Sequence, residues 1–249
     1  FVSGGAALPK EVAEFFHAFG ILIIEGYGLT ETSPVLTVNP PNAPRFGSVG
    51  KPIRGVEIKI ADDGEILARG PNIMLGYYKK PEATAAAIDP DGWFHTGDVG
   101  HMDADGYLYI TDRKKDILVL ANGKNVAPQP IENLLKQSEL VQEAVVYGDG
   151  MSAPVALIVP NIDALRAFAK QAGIEADGDA LLNHDAIQKR FRQELERVNR
   201  ELADFQRLKG FRLISKPFSI ETGELTPTLK VKRRVVAEKY AHLLQEMAR

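Results

Sequence analysis

Near the start of the chain Leu8, Val12, Phe15, Phe16 and Phe19 fall at helical spacing, with Pro9 at the entrance and Gly20 as a stop. The apolar run 21–24 then predicts a buried strand leading into Gly26-Tyr27-Gly28. Val56, Ile58 and Ile60 alternate with polar neighbours, turn at Asp62-Asp63-Gly64 and return through 65–69, which is a hairpin pattern. Short strands are expected around Trp93-Phe94 and over 107–111, so the first 111 residues read as mainly β.

The pattern changes after the charged stretch 112–116. A strand over 117–120 precedes Asn122-Gly123, a hairpin-type turn. A helix is expected over 131–136 with Pro130 at its entrance, where a missing N–H is harmless. Strands over 141–147 and 155–159 follow. Ile187, Phe191, Leu195, Val198 and Leu202 line one face of a long helix. A last strand over 211–214 and a helix after Arg233 complete a compact α+β unit. The expected boundaries are therefore residues 1–111, a linker at 112–116, and a second domain over 117–249.

Composition narrows the possibilities only a little. The 249 residues carry 25% charged and 45% hydrophobic positions with a formal net charge of −3, so nothing global points to nucleic acid or an anionic membrane. With no cysteine, disulfides and thiolate metal sites are excluded, and the five histidines never take up a ligand spacing. No apolar run reaches the roughly 18 residues of a membrane span; the most hydrophobic stretch, 12–24, is broken by Glu14, His17 and Gly20. The opening Phe1-Val2-Ser3-Gly4-Gly5 reads like a strand entering a loop, and the expectation is that the chain begins inside a larger domain.

The strongest chemical signal is Gly26-Tyr27-Gly28-Leu29-Thr30-Glu31-Thr32. A dinucleotide fingerprint would need a third glycine and an acid about 20 positions on, and both are missing. The glycines permit close backbone approach, Tyr27 offers a flat face, Thr30 a hydroxyl and Glu31 a hard oxygen ligand. Taken singly, Tyr27 reads as core packing and Glu31 as a solvated loop residue. Asp103-Ala104-Asp105-Gly106 lacks the later ligands of a calcium loop and reads as a tight turn; Gly123-Lys124 lacks the Ser or Thr of a P-loop.

In series, these motifs resemble the adenylate-forming superfamily: acyl-CoA synthetases, luciferases and peptide-synthetase adenylation domains. The resemblance runs in order through Ser3-Gly4-Gly5-Ala6, Gly26 to Glu31, Gly70-Pro71 with Gly76-Tyr77-Tyr78, and Trp93-Phe94-His95-Thr96-Gly97-Asp98. It continues through Asp112-Arg113-Lys114-Lys115-Asp116, Gly123-Lys124-Asn125 and Thr226-Pro227-Thr228-Leu229-Lys230. The fold it implies is mixed α/β: a β-rich part of the large domain followed by a small mobile α+β domain.

The same resemblance implies roles. Gly4, Gly5 and Ala6 would lie against adenine, Tyr27 would stack on it between Gly26 and Gly28, and Thr30 would contact phosphate. Glu31 would hold Mg2+, Asp98 and Arg113 would take the ribose, Lys115 would be the hinge, Gly123 would line the thiol channel, and Lys230 would be the catalytic lysine. Lys232 is the alternative to Lys230, and Lys230 to Arg234 could instead be read as a basic patch, although no aromatic platform accompanies it. The implied activity joins a fatty acid, long-chain by the look of 26–34 and 226–233, to coenzyme A at the expense of ATP. The alternatives are a ligase loading a carrier protein and a non-catalytic adenylate-binding module. The family's phosphate-gripping loop has no match here, so the chain alone is expected to be inactive. The expected location is cytoplasmic, with peripheral membrane contact left open.

Overall fold

The computed structural model describes residues 1–5 and 8–248. It divides into two compact units, Phe1–Lys115 and Asp116–Arg249, and is mixed α/β throughout.

In the first unit, strand β1 (Val2–Ser3) and helix α1 (Lys10–Ala18) precede β2 (Ile24–Gly28), β3 (Val35–Val38) and β4 (Lys51–Pro52). The strands form one sheet in that order, parallel between β1 and β2 and antiparallel beyond. Helix α1 starts after Pro9, and Gly20 follows it at φ +79°. Only Ala13 of the helix is buried, while Phe15 packs on Phe16 and Phe19. The strand expected over 21–24 begins only at Ile24 and runs through Gly28, because its partners Val2, Ser3 and residues 35–38 lie opposite that stretch. The two glycines are thus inside the strand. At Gly28 a Cβ would come within 1.6 Å of the Pro34 carbonyl oxygen, so no other residue fits there.

The hairpin β5 (Glu57–Ile60) and β6 (Glu65–Arg69) forms as expected, turning at Gly64 with φ +83°. Helix α2 (Pro81–Ala87) intervenes before β7 (Phe94–Met102) and β8 (Leu108–Arg113), which complete a four-stranded antiparallel meander. Helix α2 has no buried residue and therefore no apolar stripe to read; its alanines and first-turn proline specify it. Leu36, Val56 and Ala68 form a small core, against which Tyr27, Leu29 and Ile53 pack.

The second unit opens with a ribbon of β9 (Leu118–Val119) and β10 (Asn125–Val126). Helix α3 (Pro128–Lys136) starts one turn earlier than expected, with Pro128 rather than Pro130 at its entrance. Strands β11 (Val141–Tyr147) and β12 (Val155–Pro160) are antiparallel. Helices α4 (Ile162–Gln171), α5 (Gly178–Leu182) and α6 (Asp185–Arg200) then lead to β13 (Gly210–Leu213), parallel to β12. Helices α7 (Arg233–Lys239) and α8 (Ala241–Ala248) end the unit.

All six residues of β12 are buried, as befits a central strand covered on both faces. Ala156 and Ile158 meet Ile131, Leu165, Ile187 and Phe191 on one side; Val155, Leu157 and Val159 meet Phe218, Val236 and Leu244 on the other. The long helix presents Ile187, Phe191, Leu195 and Val198 to this core, as its spacing requires.

Candidate functional site

In the first unit, β2 delivers Tyr27 at a bulge and then releases the chain into a single tight turn, Thr30–Thr32. Buried Thr32 locks that turn: its hydroxyl accepts the Leu29 N–H at 2.9 Å and donates to the Pro34 carbonyl at 2.7 Å. Thr30 is exposed and Glu31 half-buried on the turn's outer side.

The segment around Gly70 to Tyr77 clasps the same turn. Asn72 donates to the carbonyls of Thr32 (2.8 Å) and Val35 (2.9 Å), the Met74 N–H to the Glu31 carbonyl (2.8 Å), and the Tyr77 hydroxyl to Glu31 Oε1 (2.9 Å). Beside Tyr77 lies an open hollow of about 500 Å³, walled by Leu75, Gly76, Thr84 and Ile88 and including neither Tyr27 nor Asp98.

From the meander, β7 brings Asp98 to the Tyr27 ring. The Tyr27 hydroxyl donates to Asp98 Oδ2 at 2.6 Å, and Arg113 Nε, opposite Asp98 on β8, lies 3.4 Å from Oδ1. Burial and the adjacent Asp98 carboxylate push the Tyr27 phenol far above its ordinary range, so it stays a donor. This stretch of β7 is itself held. The Thr96 hydroxyl donates to the Ile66 carbonyl (2.7 Å) and accepts the Asp98 N–H (3.1 Å).

One residue that the sequence presented only as the first position of a return strand turns out to organise this region. Glu65 is buried, and its carboxylate accepts the Gly97 N–H (3.0 Å), meets His95 Nδ1 (3.0 Å) and pairs with Lys114 Nζ (2.9 Å). Burial works to raise its pKa, but Lys114, His95 and the Gly97 N–H together outweigh it and hold the carboxyl below the usual range. Lys114 also reaches Asp63 at 2.6 Å. A charged residue opening a strand whose next three positions, Ile66, Leu67 and Ala68, are apolar was the available signal.

Of the remaining candidates, Gly4 runs beside Gly26, where a Cβ would sit 3.4 Å from the Gly26 carbonyl oxygen, and Gly5 adopts φ +82°. Ala6 lies outside the described residues. Lys115 is the last residue of the first unit. Gly123 turns the β9–β10 ribbon at φ +77° and Lys230 closes an exposed turn, both in the second unit. Asp103 accepts the N–H groups of Asp105 and Tyr107 and pairs with Arg45, so that stretch is a tight turn rather than a calcium loop. Among the described residues no three acidic or histidine side chains gather as a metal cage. Glu31 instead offers one carboxylate, its Oε2 without a hydrogen-bond partner among the described residues. That suits a magnesium ion held by one carboxylate together with phosphate oxygens and water.

Residues 1–78 match the AMP-binding enzyme family and residues 115–248 the AMP-binding enzyme C-terminal domain. The long-chain-fatty-acid–CoA ligase FadD15 of Mycobacterium bovis is 43% identical over 244 residues, 96% of this chain and 40% of the relative. The adenylation domain of a carboxylate reductase from Mycobacterium chelonae superposes with a TM-score of 0.78 at 28% identity, over 99% of this chain and 38% of that one. O-succinylbenzoate coenzyme A synthetase of Bacillus subtilis, in complex with ATP and magnesium, does so with a TM-score of 0.71 at 27% identity, over 94% and 45%. The chain spans about two-fifths of the length of the curated relatives it matches. Matched in both of its compact units, the chain belongs to the AMP-binding, adenylate-forming enzyme family.

Proposed function

We propose that this chain supplies the nucleotide loops and the mobile lysine of an ATP-dependent fatty acyl-CoA synthetase. The observation that carries the reading is the cluster Tyr27, Asp98 and Arg113: residues 71 positions apart in sequence meet through a 2.6 Å hydrogen bond, with a cation on the other carboxylate oxygen. An acceptor-only carboxylate beside an aromatic face is the equipment a ribose and its base require.

In this reading Gly4, Gly5, Ala6, Gly26, Tyr27 and Gly28 form the adenine slot, and Asp98 and Arg113 hold the ribose. Thr30 contacts phosphate, and Glu31 holds Mg2+, which supplies charge neutralisation on the phosphates. The fatty acid carboxylate attacks the α-phosphate of ATP, releasing pyrophosphate and leaving the acyl-adenylate; the coenzyme A thiol then displaces AMP. Lys230 stabilises the charge that develops in the first step, a contribution worth about 3–4 kcal/mol for a preorganised donor. The backbone at Lys115 turns between the two steps, and Gly123 then lines the thiol's path. The long-chain preference rests on the FadD15 relative.

The test uses the full-length protein that contains this chain. Lys230→Ala should slow acyl-adenylate formation a hundredfold or more and leave thioester formation from supplied acyl-adenylate unchanged. Normal adenylation by that variant would remove Lys230 from the mechanism. A second reading, loading of a carrier-protein phosphopantetheine arm, is favoured by the likeness to the A-PCP didomain of a carboxylic acid reductase from Segniliparus rugosus. Thioester formation with free coenzyme A set against carrier protein separates the two.

A further inference from the structure

Lys230 ends a small turn with three hydrogen bonds between its own residues. The Thr226 N–H donates to the Lys230 carbonyl (2.8 Å), the Lys230 N–H to Thr226 Oγ1 (2.9 Å) and the Leu229 N–H to the Thr226 carbonyl (2.9 Å). Leu229 takes φ +60°, a conformation a branched side chain adopts only when its surroundings impose it. A single bridge between Leu225 and Val231 closes the base of the turn. Residues 227–230 are exposed, and a reacting centre demands that an ammonium be placed precisely, since a displacement of about 1 Å can lower the rate about a hundredfold.

Both feet of the turn are fastened. On the entering side Glu224, 1% exposed, pairs with Lys239 of α7 and accepts from the Thr222 hydroxyl, while its carbonyl receives the Lys232 N–H at 2.7 Å. Burial works against the Glu224 charge, yet Lys239 and Thr222 keep the carboxyl at about 2. On the leaving side the Arg233 guanidinium pairs with buried Glu132 of α3 at 2.6 Å and donates to the Val146 carbonyl at 3.1 Å. Glu132 is tied to β11 through the Val146 N–H at 2.7 Å, and the Tyr147 hydroxyl donates to the Arg233 carbonyl at 2.8 Å. Each foot of the turn is thus fastened, through a buried carboxylate, to the sheet and helices of the second unit.

We propose that Glu224 with Lys239, and Arg233 with Glu132 and Tyr147, are positioning residues for Lys230: two ion-paired clamps that convert an exposed turn into a rigid mount for the ammonium. This rests on the catalytic reading of Lys230. None of the clamp residues touches the reacting atoms. They act by fixing the backbone at 224, 232 and 233, so the step that uses Lys230 is the step they govern.

The test is done in the full-length enzyme with Tyr147→Phe and Glu224→Gln, which keep side-chain shape and remove one hydrogen bond or one charge, alongside Lys230→Ala. Acyl-adenylate formation is followed in single turnovers, and thioester formation is started from supplied acyl-adenylate. Adenylation should fall about tenfold in each clamp variant and further in the double variant, with the KM for ATP and the thioester step within about twofold of wild type. A purely structural role would instead lower both half-reactions together in proportion to lost stability, and that result overturns the proposal. Unchanged adenylation in the clamp variants, beside slow adenylation by Lys230→Ala, overturns it alone. Normal adenylation by Lys230→Ala overturns the reading of Lys230 and the clamp with it.

Discussion

The Tyr27 hydroxyl donates to Asp98 Oδ2 at 2.6 Å, joining the second strand of one sheet to the third strand of the next. Burial and the Asp98 carboxylate both keep the phenol protonated, so Tyr27 remains the donor of the bond. It leaves Asp98 with unused lone pairs and anchors the hydroxyl end of the ring, so the pair arranges both a face and an acceptor for one ligand. Tyr27 also packs against the Leu36 core. Its reading as a core residue and its reading as a binding residue are therefore both physically satisfied by one side chain.

The first prediction separates those two contributions. Tyr27→Phe keeps the aromatic face but leaves a buried carboxylate oxygen short of a donor, which costs about 1–3 kcal/mol of stability. Asp98→Ala removes the acceptor itself. In urea titrations Tyr27→Phe should show a lowered midpoint with an unchanged slope, while its KM for ATP rises only a few-fold. Asp98→Ala should raise that KM about tenfold or more, on the basis of 1.5–3 kcal/mol for a hydrogen bond to a charged group. Equal KM values for the two variants would mean that Asp98 serves the fold alone.

A second prediction follows from the clasp on Glu31. The Tyr77 hydroxyl lies 2.9 Å from Glu31 Oε1, and Glu31 draws the Tyr77 phenol above its ordinary range through that bond. Tyr77→Phe releases the carboxylate to solvent without changing the turn, which the Met74 N–H and Asn72 still hold. The magnesium concentration for half-maximal adenylation should rise several-fold, consistent with about 0.5–1.5 kcal/mol for one hydrogen bond. The rate at saturating magnesium should be near wild type. A lowered ceiling with unchanged magnesium dependence would count against Glu31 as the metal ligand.

These contacts show what the residues disclosed on their own and what they withheld. Hydrophobic period placed β11, β12 and α6 correctly because each has a face that must be buried, and it placed α1 and the β5–β6 hairpin although α1 buries only Ala13 and β5 none of its residues. It could not find α2, which buries nothing, and it misplaced β2, whose position is set by strands on either side rather than by its own apolar run. Motifs pointed to Tyr27, Glu31 and Asp98, since a glycine-bracketed tyrosine or a Thr-Gly-Asp turn is local chemistry. The partners that make those residues precise, Tyr77 for Glu31 and Glu65 for the Gly97 N–H beside Asp98, come from distant segments, and local spacing carries no record of such pairings.

The third prediction concerns pH. Glu224 is held at about 2 in the folded chain against an ordinary value of 4.5, chiefly because Lys239 and Thr222 overcome the penalty of burial. The folded state thus binds this proton less tightly than the unfolded one, so the stabilisation is fully present above about 4.5 and disappears as pH falls towards 2. Thermal melts of wild type and Glu224→Gln should differ most at pH 5 to 7 and converge between pH 4.5 and 2. A gap between them that stays constant across that window would show that Glu224 contributes packing rather than charge.

The last prediction concerns Glu65, where three segments converge. Its carboxylate receives the Gly97 N–H beside Asp98, His95 on the same strand, and Lys114 next to the end of the first unit. Lys114 is about half exposed, with a side-chain exposure of 48%, so water can take the place of its ammonium beside Glu65 and Asp63, and Lys114→Ala should cost about 0.2–1 kcal/mol. Glu65→Gln is a different perturbation. The side chain is only 5% exposed, and an amide facing Lys114, His95 and a backbone N–H presents donors where acceptors are needed. That variant should lose about 1–3 kcal/mol and loosen β7 at Gly97 and Asp98, raising the KM for ATP several-fold while Lys114→Ala leaves it unchanged. Urea unfolding together with nucleotide KM measurements on the two variants decides the matter. If Lys114→Ala matched Glu65→Gln in both, the ion pair rather than the backbone hydrogen bond would be what keeps Asp98 in place.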